Sequence, residues 1–199
     1  MNNPWNARFL DESYVYGTEP NVFVAEMQKR LRLSGDALAI AEGEGRNAVF
    51  LAGEGMDVTA WDFAESGLNK AKKLAEAKGV TVHTELVDLN DAQWTPDRWD
   101  EIICIFGHFP KELCRKTLSG VKEAVKPGGY FITEVYSQYQ LPYQSGGPQD
   151  VELLYAPEEL WQTFADWRIV HFFMGEVERH EGKLHSGLSH VIQFVGQKP

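Results

Sequence analysis

The sequence predicts an α/β fold: a doubly wound, mostly parallel seven-stranded sheet, Rossmann-like in layout, with an antiparallel C-terminal hairpin. Three observations lead there. Short apolar runs alternate with amphipathic stretches of helical length, a glycine-rich turn follows the first apolar run, and the last two runs are joined by a connection too short and polar for a crossover helix.

The elements follow in order. Residues 21–33 place Phe23, Met27 and Leu31 four apart on one helical face, and Pro20 suits a helix start. A strand at 37–41 enters the glycine turn, and a helix at 47–52 stops at Gly53 and Gly55. A strand at 58–61 precedes a helix at 64–78 carrying Leu68, Ala71 and Ala75, closed by Gly79; a strand at 80–86 comes next. The fourth strand is at 101–106, and the helix at 111–125 carries Leu113, Thr117, Val121 and Val125 until Pro127 prevents continuation. The fifth strand is at 130–136, and Pro157, Glu158 and Glu159 open a helix over 157–164. Strands at 169–177 and 190–195, joined by 179–189, form the hairpin. A single domain over 1–199 follows, with 1–20 as an N-terminal covering segment and the Gly-, Pro-, Gln- and Tyr-rich loop 137–156 as a lid carrying Tyr139, Tyr143 and Tyr155.

Composition narrows the function classes. The 199 residues include 43% hydrophobic and 24% charged side chains, an ordinary globular balance. Nineteen basic and 29 acidic side chains give a formal charge of −10, which disfavours a nucleic-acid partner. Cys104 and Cys114 read as free thiols of a reducing compartment, the first ten residues do not read as a leader, and no apolar run is long enough to span a bilayer. A cytoplasmic monomer or homodimer without membrane attachment is the expectation. The six histidines show no ligand spacing, so no metal is expected, and no Gly-x-Ser-x-Gly elbow is present.

The chemistry-bearing motif is Glu42-Gly43-Glu44-Gly45-Arg46-Asn47. Gly43 and Gly45 permit a sharp turn and leave no Cβ against a ligand, and the helix beginning near Asn47 is expected to point free N–H groups at that space. Asp62 ends the second strand, about 20 residues beyond, where an acid can hold ribose hydroxyls. Asp88 ends the third strand and can accept from an exocyclic amine; its other reading is a turn-forming residue. Glu42 beside the turn would repel a pyrophosphate and attract an ammonium, which separates a nicotinamide-dependent oxidoreductase from an enzyme for a cationic amino-acid cofactor.

Four blocks now carry a resemblance: 41–47, Val58-Thr59-Ala60-Trp61-Asp62, Val87-Asp88-Leu89-Asn90 and Lys126-Pro127-Gly128-Gly129-Tyr130. Together they resemble the class I S-adenosylmethionine-dependent methyltransferases, and more narrowly the tellurite-resistance type. The resemblance implies S-adenosyl-L-methionine as cofactor, S-adenosyl-L-homocysteine as product, and in-line methyl transfer to a small-molecule acceptor, a soft thiol, selenium or tellurium nucleophile. Glu42 would meet the ammonium, the Gly43 and Gly45 backbone the carboxylate, Asp62 the ribose, and Phe63, Asp88 and Leu89 the adenine; Asn47 joins this set, and Tyr16 and Phe106 would face the sulfonium. His108, after the fourth strand, and Arg179, in the hairpin, are the candidate catalytic residues. The branch's His-Arg pair is matched only at Arg179, because Glu178 stands at the histidine position and His180 lies one residue past Arg179. A catalytically silent module binding the same cofactor is the alternative.

Overall fold

In the computed structural model, which describes residues 4–182 and 184–199, seven strands form one sheet in the order β3-β2-β1-β4-β5-β7-β6. The strands are β1 (Asp36–Ile40), β2 (Asp57–Asp62), β3 (His83–Leu86), β4 (Trp99–Ile105), β5 (Val125–Tyr136), β6 (Arg168–Glu181) and β7 (His185–Gln197). The helices are α1 (Pro4–Arg8), α2 (Val22–Leu31), α3 (Arg46–Gly53), α4 (Glu65–Lys78), α5 (Lys111–Ala124) and α6 (Pro157–Thr163). Pairs from β3 through β5 are parallel, and β7 runs antiparallel to both β5 and β6. The expected architecture holds. Residues 1–3 of the expected covering segment and Lys183 of the hairpin connection lie outside the described residues.

The pleat sorts the core. Leu38 and Ile40 of β1, with Ile102 and Cys104 of β4, belong to an apolar cluster that includes Leu118 of α5 and Leu160 of α6. Their neighbours Ala37, Ala39, Ile103 and Ile105 face the other way, with Phe23, Val24 and Met27 of α2 and Leu51 of α3. Alternating Cβ directions produce this division, and helices on both faces account for the near-continuous apolar central strands. The order reverses between β1 and β4, so the carboxyl ends of these strands open onto a crevice where such sheets place ligands.

Three boundaries differ from expectation. β3 starts at His83, not residue 80, because the Val80 N–H closes onto the Ala75 carbonyl and residues 80–82 are spent leaving α4. β5 starts at Val125, which pairs with Trp99 before the register shifts. The hairpin strands run much further than 169–177 and 190–195: the ladder continues to Glu181 opposite His185. Polarity at 179–189 excluded a helix but not a two-stranded ribbon, whose alternate residues are free to face water. β5 stops at Tyr136 opposite Val191, so β7 residues before Val191 extend past the sheet and reach over the crevice.

One buried carboxyl stands without a partner. Glu101 of β4 is 0% exposed, neither carboxyl oxygen has a hydrogen-bond partner among the described residues, and burial pushes its pKa up to about 8. In the unfolded chain this carboxyl ionises near 4.5. The folded chain therefore holds an extra proton between those values, and stability falls as pH rises through that window. Urea titrations at pH 5.5 and pH 8 should show wild type losing about 2–4 kcal/mol over the interval from this group, a loss absent from Glu101→Gln.

Candidate functional site

The turn after β1 is the first component. Ala41, Gly43 and Gly45 all have positive φ (52°, 62° and 89°), which reverses the chain into α3. A Cβ on Gly45 would lie 2.4 Å from the Ala71 Cβ, so glycine there serves the close packing of α3 on α4. Gly43 instead faces the N-terminal segment: a Cβ on it would stand 3.2 Å from the Phe9 ring. Glu42 corrects one expectation. Its Oε1 accepts from the Asn47 and Ala48 backbone N–H groups, both at 2.8 Å, so those amides of the α3 N-terminus are already engaged. Burial pushes the Glu42 pKa up to about 7, against the lowering effect of these bonds and of Arg46. Asn47 is likewise engaged, its Oδ1 accepting from the Asn21 N–H at 2.8 Å at the start of α2.

Asp62, at the end of β2, is buried and spans the turn: Oδ2 accepts from Gly43 N–H and Oδ1 from Ala64 N–H, each at 2.8 Å. Burial raises its pKa. Phe63 beside it, just past the carboxyl end of β2, is 43% exposed. Asp88 lies two residues past the end of β3, is exposed, and accepts from the Asn90 N–H and Nδ2, both at 2.9 Å. That is the turn-forming arrangement. Leu89 points into the core with α5.

The N-terminal segment is bound to the glycine turn itself, through residues given no role in the sequence reading. Lys70 of α4 pairs with Glu44 and donates to the Asp11 and Ser13 carbonyls at 2.9 and 2.7 Å. The other Glu44 oxygen accepts from the Val15 N–H at 2.8 Å. This latch sets Phe9 over Gly43 and brings Tyr16 to the mouth of the crevice.

At that mouth four rings converge. Phe106 follows β4 with φ 52°, a costly conformation for an aromatic residue, held by its N–H donating to the Glu134 carbonyl at 2.8 Å. It stacks on Tyr136 at 4.7 Å between centroids, and the His185 ring stands at 4.4 Å from Phe106 and 4.6 Å from Tyr16. Loop 137–156 comes down on this group. A Cβ on Gly146 would lie 2.6 Å from the Tyr136 hydroxyl, and one on Gly147 would lie 2.6 Å from the Tyr136 ring. Tyr139 and Tyr143 do not line the mouth as expected: they pack on His190, and Tyr143 donates to Glu176. Tyr155 packs on His108 and donates to the Gly107 carbonyl. A groove of about 310 Å³ lies between α6 and β6, lined by Pro157, Glu158, Trp161, Gln162 and Phe172, none of which belongs to the ring cluster at the mouth.

Both candidate catalytic residues turn out to be engaged. His108 Nδ1 meets the Leu153 carbonyl at 2.9 Å, and Nε2 accepts from the Tyr136 N–H at 3.3 Å, so this tautomer has no free lone pair. Desolvation lowers its pKa to about 4. His108 anchors the loop to β5 and is not placed as a base. Arg179 Nε donates to Glu134 Oε1 at 3.1 Å, its Nη2 pairs with the other Glu134 oxygen, and Glu181 lies at 3.7 Å. Arg46 meets Glu181 at 2.7 Å, and Asn21 Nδ2 donates to Glu134 at 3.0 Å. The guanidinium of Arg179 thus holds the hairpin to β5 through Glu134. Among the described residues no group of His, Cys, Asp and Glu could hold a metal ion, and no helix is long and apolar enough to cross a membrane. Replacing His108 with alanine strands the Leu153 carbonyl and the Tyr136 N–H; thermal unfolding should report a loss of about 1–3 kcal/mol, with the pH profile of any turnover unchanged in shape.

Comparison with known proteins agrees with this architecture. The model of the tellurite resistance protein TehB family matches residues 14–188. A probable S-adenosyl-L-methionine-dependent methyltransferase TehB from Haemophilus influenzae is 28% identical over 142 residues, 69% of this chain and 48% of that protein. A 2-heptyl-1-hydroxyquinolin-4(1H)-one methyltransferase from Mycobacteroides abscessus is 26% identical over 136 residues, 67% of this chain and 60% of that protein. The chain thus spans about half the length of the TehB relatives it matches. The crystal structure of Haemophilus influenzae TehB superposes with a TM-score of 0.72 at 22% identity, over 88% of this chain and 61% of that one. A structure solved for the conversion of a disulfide bond into a thioacetal group during echinomycin biosynthesis gives a TM-score of 0.77 at 20% identity, over 98% and 91%. A parallel sheet with its hairpin edge, the glycine turn flanked by acids, and a family match across most of the sequence place this chain in the TehB family.

Proposed function

We propose that this protein is an S-adenosyl-L-methionine-dependent methyltransferase that moves a methyl group to a small-molecule acceptor by in-line displacement. The observation that carries the reading is the occupation of the α3 N-terminus by Glu42. A dinucleotide site leaves such amides free for a pyrophosphate; here Asn47 and Ala48 already donate to a carboxylate, and an added phosphate would face it. Glu42 and Asp62 instead suit an ammonium and ribose hydroxyls. The names of the TehB relatives point the same way.

The residues fit the cofactor in kind. The Gly43 N–H is held by Asp62 and its α-carbon faces Phe9, Asp62 lies where ribose hydroxyls reach the sheet edge, and Phe63 and Asp88 flank the adenine end. Tyr16 and Phe106 offer ring faces to a sulfonium, an attraction worth roughly 0.5–2 kcal/mol that favours the cationic cofactor over its neutral product. The bound cofactor supplies a methyl group on a positively charged sulfur. The chain's own work is alignment and exclusion of water, performed by the latched segment 4–20 and the loop 137–156. Fixed alignment of two reactants contributes on the order of 7–11 kcal/mol. A soft nucleophile, such as a thiol, fits the apolar mouth.

Transfer of labelled methyl groups from S-adenosylmethionine to a thiol panel tests this directly; cofactor binding without transfer would leave a silent binding module. Calorimetry decides the cofactor: S-adenosylhomocysteine should bind and NADH should not, with the reverse result removing the assignment. Asp62→Asn in folded protein should weaken S-adenosylhomocysteine by about 1–3 kcal/mol. Glu42 adds a proton signature. Its pKa of about 7 in the free protein should fall when an ammonium docks beside it, so binding near pH 7 should release protons and tighten as pH rises from 6 to 8. Titrations in buffers of different ionisation enthalpy should show this release in wild type and not in Glu42→Gln.

A further inference from the structure

His185 and Tyr136 have no part in the reading above, yet they are the most unusual polar groups at the mouth. His185 is 6% exposed and Tyr136 is 0% exposed. The His185 Nδ1 and the Tyr136 hydroxyl are both buried without a hydrogen-bond partner among the described residues; Ser189 lies near the hydroxyl but outside hydrogen-bond geometry. Buried polar groups are paired in the great majority of cases, and these two orphans are distinguished by place: their rings stand 5.6 Å apart, walled by Phe106 and Tyr16. Gly146 reaches both rings: a Cβ there would come within 2.6 Å of the Tyr136 hydroxyl and 3.1 Å of the His185 ring. The loop therefore closes directly over the pair.

Resting on the methyltransferase reading, we propose that His185 and Tyr136 recognise the methyl acceptor, and that this acceptor is an uncharged molecule with one S–H or O–H group on an apolar body, not an oxyanion. Three observations select that class. The walls are aromatic. The buried guanidinium groups nearby, Arg179 and Arg46, are already ion-paired with Glu134 and Glu181, Arg46 Nη1 by charge contact and not in hydrogen-bond geometry, and the exposed Arg8 lies against Trp5 and the Tyr16 hydroxyl, so the charge of each buried guanidinium is offset by a carboxylate. The imidazole is kept neutral: burial, with Arg46, His108 and Arg8 as the charged or titratable groups that reach it, lowers its pKa to about 3.

The step balances with these groups. In the Nε2–H tautomer the Nδ1 lone pair accepts the acceptor's X–H and turns the X lone pair toward the methyl carbon. The X–C bond forms as the sulfonium S–C bond breaks, and that bond's electron pair returns to sulfur. The X–H proton, made acidic by the charge passing to X, moves to Nδ1. A weak base suffices because the proton leaves late, and weakness keeps the ring unprotonated beside a cationic cofactor. The Tyr136 hydroxyl donates to a second lone pair of X and orients it.

The test uses the full chain saturated with S-adenosylhomocysteine, titrated calorimetrically with benzyl mercaptan and separately with sodium tellurite. Wild type should bind the thiol and not tellurite. His185→Ala and Tyr136→Phe should weaken the thiol by about tenfold and fivefold, with S-adenosylhomocysteine affinity unchanged. In turnover with S-adenosylmethionine, His185→Ala should slow benzyl mercaptan on the order of 10²-fold and 4-nitrothiophenol, already ionised, less than about fivefold. Saturable tellurite binding, no thiol binding by wild type, or equal rate loss on the two thiols would overturn the assignment. Tyr136→Phe removes a single oxygen and decides the matter if His185→Ala does not fold. Failure of wild type to bind S-adenosylhomocysteine is a separate result, which sinks the methyltransferase reading itself.

Discussion

The site depends on a buried cluster of opposite charges that ties four elements together. Arg179 of β6 pairs with Glu134 of β5, Glu181 pairs with Arg46 at the start of α3, and Asn21 at the start of α2 bonds to both glutamates. All five side chains are under 10% exposed. Ions so far from water are tolerated only when paired and hydrogen-bonded, and removing one partner from such a set is strongly destabilising. The cluster's value here is positional. It holds the far end of the hairpin against β5 and α3, which is what carries His185 to the crevice.

A second constraint acts at the glycine turn. Two acids, Glu42 and Asp62, spend oxygens on backbone N–H groups of the turn, and Glu44 spends both of its oxygens on the N-terminal segment and Lys70. A loop that elsewhere would be an anion site is thereby charged and capped from within, and the α3 dipole is answered by the chain's own carboxylate. The Glu44 and Lys70 bonds connect the N-terminal segment to the glycine turn through Asp11, Ser13 and Val15.

Much of the architecture was legible because apolar periodicity follows directly from which faces are buried. The parallel strands, the helices between them and the hairpin edge all left that trace. Glu42, Gly43, Gly45, Asp62 and Asp88 were legible as the ends of strands at a crevice. Their present partners were not: Gly45 packs against Ala71 with a φ of 89°, and Asp88 holds its own turn. His108 and Arg179 looked reactive by type and place, yet each is consumed by partners distant in sequence, Leu153 and Tyr136 for one and Glu134 for the other.

The sequence by itself determined the sheet, its helices and the acidic character of the edge, because these depend on local spacing and on side-chain type. Tertiary structure alone decided which polar groups remain without partners. His185 lies in a stretch that reads as a polar connection, and only the continued β6–β7 ladder, running past the end of β5, brings its ring against Phe106 and Tyr136. Hydrogen-bond satisfaction is a property of contacts between residues far apart in the chain, so no local pattern records it.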